Sequence, residues 1–109
     1  MVEATHALTN QPFVRDAEGP RACLFLHGLG GGIYELEPLA ERVHARGFTV
    51  AGINYPGHDR PAPKMPPSRW EDWYARALES YQALRARGLA VSVVGFSTGC
   101  QLALLLASE

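Results

Sequence analysis

Gly95-Phe96-Ser97-Thr98-Gly99 sets a serine between two glycines, with an apolar run at 91–94 before it and another at 102–107 after it. Gly-x-Ser-x-Gly at a strand-to-helix turn presents a serine hydroxyl as a nucleophile. Such a turn fixes the backbone while exposing the oxygen, and it forces Ser97 toward strained dihedrals. Side chains at 95 and 99 would collide across so tight a turn, and glycine removes them. A helix starting beside Ser97 offers free N–H groups and a positive dipole end, both suited to an oxyanion. As a bare five-residue pattern this is met by any glycine-rich turn; the strand before it and the helix after it give it weight.

A second glycine-rich stretch, His27-Gly28-Leu29-Gly30-Gly31-Gly32, follows the apolar run 22–26. A turn of this kind can aim a backbone N–H at a substrate. It is not a phosphate loop, because Gly-Lys-Ser/Thr is absent. It is not a dinucleotide fingerprint either, because no acidic residue directly follows the next strand; Asp59 already lies inside a proline-rich loop. No His occurs among the twelve residues from Thr98 to Glu109, so no base follows Ser97 in this sequence. His27 and His58 read as structural, His6 lies in the N-terminal stretch, and His44 is expected to face solvent. Asp59 and Asp72 have no histidine partner implied by spacing.

The elements that must position these loops follow from periodicity. Residues 12–15 are compatible with a short edge strand. The runs 22–26 and 48–53 are continuous and apolar, as expected of strands buried on both faces. Leu36, Leu39, Ala40 and Val43 recur at helical spacing, with Gly47 placed to stop the helix. Residues 54–67 hold five of the eight prolines and read as a loop. Ser68-Arg69-Trp70-Glu71 matches a capping box. Trp70, Trp73, Tyr74, Ala77, Leu78, Tyr81 and Leu84 form one apolar face of the helix that follows, which ends at Gly88. Alternating strands and helices imply a mostly parallel sheet covered on both faces. Ligands of such sheets bind beyond the carboxyl ends of the strands, where both glycine-rich motifs fall.

Composition sets bounds on partners. The 109 residues are 47% hydrophobic with a net charge of -1, and they hold no basic stripe, which argues against nucleic acid. The start of the chain lacks the pattern of a signal peptide, and no apolar run is long enough to span a bilayer. Cys23 and Cys100 both fall in apolar segments and read as buried free thiols, Cys100 packed against the sheet rather than acting as a nucleophile. A cytoplasmic protein is expected, without metal or organic cofactor. Residues 1–12 are expected to be a weakly ordered tail, and 13–109 a partial domain.

Phe25-Leu26-His27-Gly28-Leu29-Gly30-Gly31, Tyr55-Pro56-Gly57-His58 and Val93-Val94-Gly95-Phe96-Ser97-Thr98-Gly99 together resemble the N-terminal half of α/β-hydrolases, most of all bacterial carboxylesterases and monoacylglycerol lipases. The helix carrying Trp70-Glu71-Asp72-Trp73 is also similar to theirs. The resemblance implies Ser97 as nucleophile and the backbone N–H groups of Leu29 and Thr98 as the oxyanion hole. It makes Gly28, Gly95 and Gly99 the glycines that shape the site. It implies a small-molecule ester substrate. The family's acid and histidine lie on later loops with no counterpart here, so the sequence is expected to be the N-terminal part of an enzyme. By itself such a piece is expected to be inactive and to associate with a second copy or with the remaining half. Thioesterases, amidases and carbon–carbon hydrolases share this first half. A short non-catalytic product acting as a binding module is the reading from another class.

Overall fold

The computed structural model describes residues 12–28, 32–55 and 69–108. Four strands, β1 (Phe13–Arg15), β2 (Arg21–Leu26), β3 (Thr49–Gly52) and β4 (Ala90–Gly95), form one sheet in the order β1-β3-β2-β4. β2 pairs in parallel with β3 on one side and with β4 on the other. β1 runs antiparallel to β3 at one edge. Three helices follow the parallel strands: α1 (Glu37–His44) after a 3₁₀ turn at Ile33–Glu35, α2 (Trp70–Ala86) and α3 (Thr98–Ala107). This is the N-terminal topology of an α/β-hydrolase fold: a mixed, mainly parallel sheet with helices on both faces.

The pleat of β2 divides the core in two. Ala22, Leu24 and Leu26 join Ala77 and Leu84 of α2 and Leu102 and Leu106 of α3. Cys23 and Phe25 point the other way, into a cluster with Ile33, Ala40 and Val50 under α1. Leu24, Phe25 and Leu26 are wholly buried. Each such side chain contributes roughly 1.5–3 kcal/mol relative to exposure, so β2 is the rod on which both layers hang.

Several expectations are corrected. Leu39 is 45% exposed, at the rim of a stripe carried by Leu36, Ala40 and Val43. Trp70 is 52% exposed. It is the first residue of α2, and side chains tilt toward a helix's N-terminus, so it has no preceding helical turn to pack on. The cap of α2 is shifted by one residue. Arg69 is the N-cap and its N–H donates to Asp72 Oδ2 at 3.2 Å; Ser68 lies outside the described residues. Cys23 is buried as expected, but Cys100 is exposed, and both are free thiols. His44 is half-buried, with Nε2 2.9 Å from the Asp16 carbonyl. As expected, Gly47 and Gly88 take positive φ, 96° and 84°, within three residues of the ends of α1 and α2, the left-handed conformation that ends helices. The segment 1–11, and with it the expected tail, lies outside the described residues, as do His58 and Asp59.

Candidate active site

β2 and β4 lie side by side and end together: Leu26 pairs with Gly95 in the last rung of their ladder. The ladder continues into the turns, where the Phe96 N–H donates to the Leu26 carbonyl at 3.0 Å. Both glycine-rich loops therefore leave the sheet at the same edge, at the carboxyl ends of adjacent parallel strands.

Ser97 sits in that turn with φ 58° and ψ -119°. It is the one non-glycine residue with positive φ among the described residues. So sparsely populated a conformation costs about 1–3 kcal/mol, and it persists only where the surroundings over-determine it. Here they do. A Cβ on Gly95 would run into the Gly99 carbonyl and stand 2.6 Å from the Cys100 nitrogen. A Cβ on Gly99 would run into the Leu26 carbonyl. The strand, the turn and the first turn of α3 are thus in backbone-to-backbone contact, and only glycine fits at either position. Cys100 adds a tie: its Sγ donates to the Gly95 carbonyl at 3.0 Å.

Thr98 opens α3. The Gly99 and Cys100 N–H groups bond to the Phe96 and Ser97 carbonyls. The Thr98 N–H heads the helix, where no earlier turn offers a carbonyl. It lies beside Ser97 at the positive end of the helix dipole. Ser97 and Phe96 are exposed, the latter by 55%. Among the described residues no side chain hydrogen-bonds to the Ser97 hydroxyl.

The facing loop begins at His27-Gly28. A Cβ on Gly28 would stand 3.2 Å from the Ser97 Cβ and 3.4 Å from the Phe96 ring, so glycine lets this backbone lie against the serine. His27 is wholly buried, with Nδ1 2.7 Å from the Gly28 carbonyl. A carbonyl only accepts, so Nδ1 carries the proton in this bond. Tyr55 holds the loop from behind. Its hydroxyl donates to the His27 carbonyl at 2.6 Å, its ring lies 4.2 Å from the His27 ring, and Trp73 of α2 stacks on it at 6.0 Å. Burial pushes the Tyr55 phenol well above its ordinary pKa, so it keeps the proton it donates. Burial likewise raises the Cys23 thiol.

The structure thus brings Gly28, Gly95, Ser97, Thr98 and Gly99 to one place. Leu29 lies outside the described residues. Tyr55 was the residue that sequence reasoning missed as a contributor, since it figured only as the first letter of a loop motif. No spacing along the chain marks it, because its role arises from contacts with His27 and Trp73. Ser97 is exposed at the head of α3. Apolar grooves of about 460 and 510 Å³ flank the sheet, one between β1 and α2 and one between β4 and α3, and Ser97 lines neither. Among the described residues no helix is long and apolar enough to cross a membrane.

Comparison with known proteins agrees with this topology. A thermostable monoacylglycerol lipase of Bacillus sp. (strain H-257) is 34% identical over 99 residues, which cover 91% of this chain and 39% of that one. A carboxylesterase of Bacillus subtilis (strain 168) is 29% identical over 93 residues, 84% of this chain and 37% of that one. The chain therefore spans about two fifths of the length of these curated relatives. Among solved structures, one reported for LipS and LipT, two metagenome-derived lipolytic enzymes, superposes with a TM-score of 0.83 at 26% identity, covering 91% of this chain and 40% of that one. TT1662 from Thermus thermophilus superposes with a TM-score of 0.60 at 29% identity, covering 89% and 47%. Residues 23–108, from the middle of β2 to the end of α3, match the model of the alpha/beta hydrolase family, and this chain belongs to that family.

Proposed function

We propose that this chain carries the nucleophile half of a serine hydrolase acting on carboxylic esters. Ser97 is the nucleophile, the turn at 95–99 is its nucleophile elbow, and the Thr98 and Leu29 N–H groups form the oxyanion hole. Residues 13–109 are then the N-terminal part of the hydrolase domain. The observation that carries the reading is the Ser97 backbone: a strained serine, held by two obligatory glycines, at a strand end and a helix start. Nothing in folding alone calls for serine in so costly a conformation, whereas presenting a hydroxyl does. The names of the relatives, a monoacylglycerol lipase and a carboxylesterase, favour esters over other acyl substrates.

In the proposed reaction the Ser97 Oγ attacks the ester carbonyl while a histidine takes its proton. The oxyanion settles against the two backbone N–H groups, each donor being worth about 3–4 kcal/mol in such sites. Collapse expels the alcohol, protonated by the same histidine, and water then releases the acid from the acyl-serine. The histidine and the acid that orients it come from sequence other than these 109 residues. Neither His27 nor His44 serves as base: one is buried with Nδ1 on the Gly28 carbonyl, the other has Nε2 on the Asp16 carbonyl. Two free thiols suit a reducing, cytoplasmic setting.

Hydrolysis of p-nitrophenyl esters of graded acyl length, by the full-length protein that carries this sequence, tests the reading. Turnover is expected in the wild type, with Ser97→Ala reducing kcat by a factor of about 10⁴ or more. Undiminished turnover in Ser97→Ala would refute the assignment.

A further inference from the structure

We infer that Tyr55 is a positioning residue for the oxyanion loop, acting through His27 on the peptide unit that follows Gly28. The inference rests on the functional reading above. It starts from the geometry of one peptide plane. A trans peptide carries its C=O and the next N–H on opposite sides of one rigid unit. The Gly28 carbonyl is gripped by His27 Nδ1 at 2.7 Å. The N–H on that same unit is the one assigned to the oxyanion. Fixing the carbonyl therefore fixes the line along which the donor can point.

The grip is only as firm as the ring that makes it. Tyr55 holds His27 at two places: its hydroxyl bonds the His27 main-chain carbonyl at 2.6 Å, and its ring lies against the imidazole at 4.2 Å. Tyr55 is itself 1% exposed and backed by Trp73. A run of contacts from α2 through Tyr55 to His27 and Gly28 thus ends at the loop facing Ser97. The residue is well placed for this role because it lies just past the end of β3, next to the end of β2, where the loop departs. Its proton is held by burial, so the bond persists across the neutral range. An oxyanion donor that need not reorganise is the kind that lowers a barrier. A loosened one weakens transition-state binding and leaves ground-state binding alone.

The test uses the full-length protein and three variants: Tyr55→Phe, Tyr55→Leu and Ser97→Ala. Rates are counted per folded molecule, from the near-ultraviolet circular dichroism signal, well below each melting midpoint. Tyr55→Phe keeps the ring and removes the hydroxyl; kcat is expected to fall about tenfold with KM unchanged. Tyr55→Leu removes the ring as well and is expected to fall further, again in kcat. Inhibition by a boronic acid, which mimics the tetrahedral state, should weaken in parallel with kcat. A merely structural tyrosine would lower the melting midpoint and leave kcat per folded molecule and boronate affinity at wild-type values. That result, together with an inactive Ser97→Ala, would overturn the positioning role while sparing the functional reading. Wild-type turnover in Ser97→Ala would bring down both.

Discussion

On the proposed reading, Ser97 and Tyr55 divide the work at the scale of single residues: one carries backbone strain to present a hydroxyl, the other keeps the facing loop in place. The Tyr55 bond also has a pH signature. A phenol in the unfolded chain titrates near pH 10, and burial raises it in the fold. Below about pH 10 both states hold the proton and the stabilisation is whole. Above that, the unfolded chain releases a proton that the folded chain keeps, so stability falls as pH rises. Tyr55→Phe is expected to cost about 1–3 kcal/mol at neutral pH, because the buried His27 carbonyl loses its donor. The gap between wild type and variant should narrow between pH 9 and 11 in denaturant titrations. A gap that stays constant would show that the phenol is not held protonated. The strained turn at Ser97 was legible in the sequence because its two glycines and its flanking runs are local. Tyr55 was not, because its role arises from contacts with His27 and Trp73 that no spacing along the chain encodes.

Strands, turns and helices were the more readable scale. The run at 22–26 announced β2 because a strand covered on both faces has no polar alternation to blur it, and the run at 91–94 announced β4 by its valines. Two of the misreadings fell at element ends. Trp70 has the spacing of a core residue but is the first residue of α2 and half exposed, and Cys100 is exposed although its thiol bonds the last carbonyl of β4. This yields a contrast: Trp73→Ala is expected to cost about 3–5 kcal/mol, as for a packed aromatic, and Trp70→Ala less than about 1 kcal/mol. Equal losses would contradict the assignment of faces. The turn makes a sterner prediction. Gly95→Val and Gly99→Val each place a branched side chain into backbone atoms, so both should lower the unfolding midpoint severely or prevent folding. Wild-type midpoints in both would mean that the turn is not closed as described.

Among the described residues the sheet is open along β4. That strand pairs with β2 on one side; among the described residues nothing pairs with its other side. Val91 and Val93 line a groove there with Tyr81, Ala103 and Leu104, and Leu104 of α3 is 71% exposed. A helix apolar on all sides is normally buried on all sides, and an uncharged valine strand with a free edge invites another strand. The 109-residue polypeptide, purified alone, is therefore expected to associate, and light scattering after size exclusion should give a mass above the monomer. A sharply melting monomer at tens of micromolar would contradict that. The same polypeptide should show no steady-state ester turnover, since its sequence holds no histidine after Ser97. The sequence could not say how open this edge is, because neighbours in a sheet are set by topology and not by a strand's own pattern.

The role of Ser97 is tested most directly by covalent capture. The full-length protein, treated with a fluorophosphonate and digested, should carry one adduct per chain, mapped by mass spectrometry to the peptide holding Ser97, with ester turnover lost in proportion. Turnover that survives with Ser97 unmodified, or an adduct on a different residue, would contradict it.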